Sequence, residues 1–380
     1  MTASARTIVI AGGGTGGHLF PALATAQTLL ARGYRVVLAT DSRGRALGPL
    51  PEGIIAAQVR APRMSGGVLA KLRGAFDGLR GVGQARALLH REKAAAVMSF
   101  GGYTAVPVLT AARMQNLPII LHELDSILGR TNRLFVKRAT RVTTAYPHVV
   151  DLAIDPARIV LTGTPVRPGF APLPYNAPSP PAPIRLFVVG GSQGARVLSD
   201  VVPDALSALP ETLRARLRVV QQARAEDRTR VEQRYAALGI AAEISSFFTD
   251  MPMRIGDAHL VISRSGASTA AELTCVGRPS LLIPYKFAMN DHQSRNAQAL
   301  AEAGAAVVLA QDACTPQTLA ATIAPLLGDS DRLSAMAAAA QALGIPDAAE
   351  RLADVAGALV PAPEVRRDPF VLRLERKEAA

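Results

Sequence analysis

A chain of 380 residues is too long for a single core of ordinary size and fits two domains. Hydrophobic residues make up 49% of it but aromatics only 4%, with no Trp, so its cores must be built from Ala, Val, Leu and Ile, as in parallel sheets covered by helices. The net charge of +12 sits entirely in the first half: residues 1–165 carry 20 Lys/Arg against 8 Asp/Glu, the rest 22 against 22, a basic surface that attracts either nucleic acid or an anionic membrane face.

Met1 to Arg6 pass almost directly into a strand and leave no room for a signal peptide. Short β-branched runs then alternate with amphipathic stretches. Thr7–Ala11, Arg35–Thr40, Ala94–Phe100, Pro118–Glu123 and Ile159–Gly163 read as strands, with helical patterns such as Pro21–Arg32 and Ala105–Met114 between them. This is the βαβ signature of a parallel sheet. Residues 168–183 hold seven prolines, which excludes a helix interior or a central strand. The pattern then restarts, with Ile184–Gly191, Leu217–Ala223, Ala242–Phe248, Leu260–Ser265, Ser280–Tyr285 and Ala305–Ala310 as strands. The fold expected is α/β, with two Rossmann-like parallel-sheet domains facing across a cleft. The first domain spans 1–165, a Pro-rich hinge 166–183 and the second domain 184–345; a C-terminal helix at 346–362 and a charged tail at 363–380 follow. No run of about 18 uninterrupted apolar residues reads as a membrane span. Cys275 and Cys314 stand far apart without further ligands at metal spacing, which argues for a reducing compartment and against structural zinc.

Three glycine-rich turns follow strands: Gly12–His18, Ser99–Tyr103 and Gly190–Ala195. Glycines there let backbone N–H groups approach a ligand, and a following helix N-terminus suits phosphate. Gly12-x-Gly14-x-x-Gly17, with Asp41 ending the second strand, also fits a dinucleotide site, so a nicotinamide oxidoreductase is the alternative enzyme. Turns of this kind in both halves favour a ligand clamped across a cleft. Ser263–Glu272 runs from a strand through a Ser/Gly turn into a helix, a place for a diphosphate, with Glu272 able to accept hydrogen bonds from a ribose diol. Read alone, the same residues are an ordinary helix start. Asn290, Asp291, His292, Gln293 and Asn296 crowd the next loop, a composition suited to sugar hydroxyls.

Together these residues resemble the GT-B glycosyltransferases and, among them, the MurG family. The resemblance runs from about Thr7 to Val360 through GGTGGHLFPALA, SFGGYTAVP, LHELDSILGRTN, TGTPVR, GGSQGAR, RSGASTAAEL and NDHQSRNA, in the family's order. It implies transfer of N-acetylglucosamine from UDP-GlcNAc to undecaprenyl-linked lipid I in peptidoglycan synthesis, serving cell shape and division. It implies no cofactor, no active-site metal and no nucleic acid. By position, Thr15, Gly16 and Gly17 would lie against donor sugar or acceptor diphosphate, and Arg167, Ser192 and Gln193 against the donor. Phe248 would sit beside the uracil. Ala267, Ser268, Thr269 and Glu272 would hold diphosphate and ribose; His292 and Gln293 would face the sugar hydroxyls. His18 is the candidate base, with Glu123 or Asp125 as the alternative. Two departures stand out: Asp125 where the family has an amide that touches the donor, and Thr164 where it has Asn. The resemblance also implies peripheral attachment to the anionic cytoplasmic leaflet of the inner membrane, with cell-wall synthesis and division proteins as further partners. Residues 60–91 carry seven Lys/Arg, together with Val68, Leu69, Leu72, Phe76 and Leu79 at helical spacing, and suit that attachment; an ordinary helix with its apolar stripe toward the core is the alternative.

Overall fold

The computed structural model describes residues 5–13, 16–41, 50–61, 68–191 and 194–361, the side chains of 68–73 and 75 apart. Continuous apolar runs such as TIVIA form fully buried strands, as parallel sheets covered on both faces require. The first sheet contains β1 (Thr7–Ala11), β2 (Arg35–Thr40), β3 (Ile55–Gln58), β4 (Ala94–Ser99), β5 (Ile119–Glu123), β6 (Arg141–Thr144) and β7 (Ile159–Leu161). They pair in the order β3-β2-β1-β4-β5-β6-β7, all parallel. The second sheet contains β8 (Ile184–Val189), β9 (Leu217–Gln222), β10 (Ala242–Ser245), β11 (Leu260–Ser263), β12 (Ser280–Leu282) and β13 (Ala306–Val308). Its order is β10-β9-β8-β11-β12-β13, again parallel.

Each sheet reverses its strand order once, at β1/β4 and at β8/β11. Ligand crevices of open α/β sheets lie outside the carboxyl ends of the strands at such points. Gly12–Gly13 and Ser99–Tyr103 flank the first reversal; Gly190–Gly191 and Ser263–Gly266 flank the second.

In the first half the helices are α1 (Gly16–Ala31), α2 (Val68–Arg91), α3 (Ala105–Met114) and α4 (Arg130–Phe135). In the second they are α5 (Arg196–Ser207), α6 (Glu211–Arg214), α7 (Arg228–Ala237), α8 (Met251–Asp257), α9 (Ala267–Val276), α10 (His292–Glu302), α11 (Pro316–Leu327), α12 (Ser330–Leu343) and α13 (Ala348–Leu359). Local chemistry sets several ends. Gly277 closes α9 in the left-handed region, at φ 72°, and Thr315 opens α11 with a capping box.

The structure differs from the sequence expectation in several places. The short strands β3 and β6 were not anticipated. β10 stops at Ser245 rather than Phe248, where the Ser245 hydroxyl turns to the Phe247 carbonyl, and β12 at Leu282 rather than Tyr285, where Arg264 takes the carbonyls of Ile283 and Pro284. The Pro-rich segment is tied to the second half: Arg278 donates to the carbonyls of Leu173, Pro174 and Gly256, and the Tyr175 hydroxyl to that of His259. The C-terminal helix, which the sequence sets apart from both domains, packs as α13 on the first half. Its Leu352, Ala353 and Ala356 share a core with Ile8, Leu29 and Leu38. Arg32 pairs with Glu350 and Asp354, and the Tyr34 hydroxyl donates to the Val360 carbonyl at 2.7 Å.

Candidate active site

His18 lies in the first turn of α1, beneath the Gly101–Gly102 turn that follows β4. Both glycines have positive φ, +84° and +79°, and a Cβ on Gly102 would stand 3.5 Å from His18 Cδ2 and 3.2 Å from the Gly13 carbonyl. The turn closes over the imidazole because it lacks side chains. His18 Nδ1 is buried and has no hydrogen-bond partner among the described residues. Burial holds its pKa below the ordinary histidine value; the Asp125 charge and the Phe100 backbone oppose that shift, and the nearby His292 adds to it.

β5 delivers His122 and Glu123, both fully buried. His122 Nδ1 is 2.9 Å from Thr143 Oγ1, its ring meets Phe100 edge to face, and burial drives its pKa down to about 3. Its place is structural. The Glu123 carboxylate accepts N–H bonds from Asp125 N (3.2 Å), Gly129 N (2.9 Å) and Asn132 Nδ2 (2.9 Å). Burial first, then the neighbouring Asp125 charge, raises its pKa to about 7 despite those donors. With its oxygens occupied in this way, Glu123 shapes the turn that carries Asp125.

The second half meets this turn directly. Asn296 Nδ2 donates to Asp125 Oδ1 at 2.8 Å, and Asn296 Oδ1 accepts from Ser126 N and Ser126 Oγ at 2.9 and 3.2 Å. The sequence groups Asn296 with the sugar-facing amides of its loop; in the structure it is wholly buried between the halves. Ser126 carries no sequence signal. Asn296 carries one in hindsight, because with buried Ala297 and Leu300 it lies on the inward face of α10.

A second bridge joins the two switch points. Ser268 Oγ, in the first turn of α9, donates to the carbonyl of Gly17, in the first turn of α1, at 3.2 Å. Two helix N-termini therefore converge, and neither carries an acidic residue in its first turn. The partial positive charges of such termini suit an anion such as a diphosphate. Ala267, Ser268 and Thr269 lie at its rim, half-buried.

Glu272 lies deeper in α9, its side chain only 6% exposed, and accepts both Arg167 Nε (3.1 Å) and Nη2 (2.8 Å) on Oε1. Burial raises its pKa, and Arg167 opposes the shift. Arg167 in turn lies against the faces of Phe20 and Phe170, 4.9 and 5.5 Å from their centroids. Arg167, at the start of the Pro-rich segment, and Glu272, on α9, thus form one unit. Phe248 is buried edge to face against Phe187, so its side chain packs into the core. Gln293 Oε1 accepts from Tyr285 N at 2.9 Å, and His292 Nδ1 is 2.8 Å from the Met289 carbonyl. Thr15, Ser192 and Gln193 lie outside the described residues.

Comparison with known proteins agrees with this geometry. The family model for the glycosyltransferase family 28 N-terminal domain matches residues 8–144, and that for the family 28 C-terminal domain matches 185–352. A UDP-N-acetylglucosamine–N-acetylmuramyl-(pentapeptide) pyrophosphoryl-undecaprenol N-acetylglucosamine transferase from Rhodospirillum centenum is 48% identical over 355 residues, covering 92% of this chain and 94% of its own. A protein of the same name from Paramagnetospirillum magneticum is 44% identical over 367 residues, 95% of this chain and 99% of its own. The crystal structure of Acinetobacter baumannii MurG superposes with a TM-score of 0.76 at 28% identity, covering 92% of this chain and 98% of that one. A fold shared further afield appears in the crystal structure of CalG4, the calicheamicin glycosyltransferase, at TM-score 0.64 and 16% identity, covering 96% of this chain and 100% of that one. With two parallel-sheet domains and matches of this extent, the chain belongs to the MurG family of family 28 glycosyltransferases.

Proposed function

We infer that the protein transfers N-acetylglucosamine from UDP-N-acetylglucosamine to the 4-hydroxyl of N-acetylmuramic acid on undecaprenyl-diphosphate-MurNAc-pentapeptide, turning lipid I into lipid II. The relatives above carry this activity in their names. The observation that carries it here is the meeting of the α1 and α9 N-termini through Ser268 and Gly17.

The reaction is read as a single in-line displacement. The acceptor oxygen attacks the anomeric carbon, the bond to the diphosphate oxygen breaks, and UDP departs with the electron pair, inverting the centre. His18 takes the acceptor proton. Its depressed pKa leaves the imidazole neutral at pH 7, and its buried Nδ1 is unpartnered among the described residues. The charge of departing UDP is met by the two helix N-termini and by Arg167, a reading that requires no metal. Glu272 accepts the ribose hydroxyls while Arg167 holds it in place.

Attachment to the membrane is assigned to the first half of α2. Phe76 and Leu79 are 54% and 73% exposed, and Arg80 lies 4.5 Å over the Phe76 ring, whereas Ala85, Leu88 and Leu89 further along are buried. The helix therefore anchors by its second half and presents Phe76, Leu79 and Arg80 near its middle. No helix of the described residues is long and apolar enough to cross a membrane. Attachment is read as peripheral, through the exposed Phe76, Leu79 and Arg80, on the cytoplasmic face of the inner membrane.

Calorimetric titration with UDP-GlcNAc, UDP and NADH, EDTA present throughout, tests the donor site. Saturable binding of both uridine ligands and none of NADH is expected. Binding of NADH alone would return Gly12–Gly17 and Asp41 to a dinucleotide role. Transfer of radiolabelled sugar to lipid I then tests the acceptor.

A further inference from the structure

A buried carboxamide has two donor and two acceptor positions to satisfy, and Asn296 fills all of them. Its Oδ1 accepts from Ser126 N and Ser126 Oγ, and its Nδ2 donates to Asp125 Oδ1 at 2.8 Å and to the Ser265 carbonyl at 3.2 Å. Three of these partners belong to the turn after β5 in the first half. The fourth belongs to the turn that opens α9, and Ser265 Oγ itself bonds the Gln293 carbonyl at the start of α10. One side chain thus joins the acceptor-side turn, the donor-side turn and its own helix, at 0% exposure.

What it grips is a charge. Asp125 faces His18, Glu123 and Tyr146 electrostatically; His18 in turn faces Asp125, His292 and the Phe100 backbone. Among these groups, Asp125 is the one whose negative charge favours a proton on the imidazole. Asn296 holds Oδ1 of that carboxylate, while Oδ2 has no hydrogen-bond partner among the described residues. Parting the two halves breaks the grip on Asp125 and Ser126 together and strands a buried amide, a costly state unless water enters.

We propose that Asn296 is a positioning residue for the transfer reaction, setting the Asp125 carboxylate against His18 only when the two halves are closed. Closure on the donor then strengthens the base at the same moment. The inference rests on the reading of His18 as base, and its test separates the two.

A double-mutant cycle on the full chain, with UDP-GlcNAc and lipid I as substrates, measures the coupling. Asn296→Ala lowers kcat about tenfold and shifts the acid limb of the kcat profile to lower pH, because the imidazole loses the oriented charge. Asp125→Ala does the same, and the double variant is no slower than Asp125→Ala alone. Multiplying effects, or an unmoved pH profile in Asn296→Ala, would overturn the proposal. Should Asn296→Ala fail to fold, Asn296→Asp and the swap Asp125→Asn with Asn296→Asp replace it. The swap rebuilds one donor–acceptor pair in the opposite sense, so its UDP-GlcNAc affinity recovers toward wild type relative to Asn296→Asp, while kcat stays low for want of a carboxylate at 125. A swap that restores neither affinity nor folding contradicts the pairing. His18→Gln reports on the base separately: an acid limb that survives in it sinks the base assignment and leaves the measured coupling between 125 and 296 standing.

Discussion

Substituting Glu123 by Gln separates two opposing forces on one buried carboxyl. Burial and Asp125 raise its pKa from 4.5 to about 7, while three N–H donors favour the charged form. The unfolded chain titrates near 4.5, so the shift of about 2.5 units corresponds to about 3 kcal/mol, at about 1.4 kcal/mol per unit. A carboxyl whose folded pKa is raised contributes stability that is complete below pH 4.5 and is lost as pH rises through 7. Gln cannot ionise and suffers no such loss. It does turn an amide NH2 toward N–H donors, a pH-independent cost of about 1–3 kcal/mol. At pH 5 the variant is therefore the less stable protein; by pH 8 the difference closes or reverses. Urea unfolding followed by far-ultraviolet circular dichroism suits a chain without Trp, and the two proteins are compared at pH 5, 6, 7 and 8. A stability gap that stays constant from pH 5 to pH 8 refutes the reasoning, since it means that the donors keep Glu123 ionised throughout.

Arg167→Met leaves Glu272 buried without its cation; UDP-GlcNAc affinity measured by calorimetry at pH 7 falls about tenfold or more, and unchanged affinity would detach the pair from the donor site. Phe76→Ser with Leu79→Ser abolishes most binding to anionic vesicles in flotation while donor affinity in solution stays as it was; retained flotation assigns attachment to another surface. High salt releases the wild-type protein from the same vesicles if the basic groups of α2 contribute. Tyr34→Phe removes the bond to the Val360 carbonyl and lowers stability by about 1 kcal/mol, read as a small drop in denaturation midpoint.

The alternation of apolar runs and helical stretches made both sheets legible, because strands buried on both faces leave continuous Val, Ile and Leu segments. The glycine turns were legible for a related reason: close backbone approach admits few other residues. What the sequence hid were pairings between distant segments. Arg167 and Glu272 stand 105 residues apart, and Asp125 and Asn296 171 apart, so spacing says nothing of their meeting. Asn296 was placed with the sugar-binding amides on composition, since an amide in a polar loop looks the same whether it faces a ligand or a second domain. Glu123 and Asp125 look equivalent in the sequence, two carboxylates two residues apart, and nothing there tells that the turn occupies the first. Helix α13 was found as a helix but not assigned to the first half, because its apolar stripe fits either core.

That helix has a consequence for how the protein is made. Residues 7–161 leave the ribosome long before 348–359, yet Ile8, Leu29 and Leu38 are covered by Leu352, Ala353 and Ala356. Throughout most of translation the nascent first half holds an apolar strip open to solvent, a surface that chaperones bind and that promotes self-association. A segment synthesised late thus covers one synthesised early. A fragment ending near residue 345 lacks this cover and holds the strip open permanently.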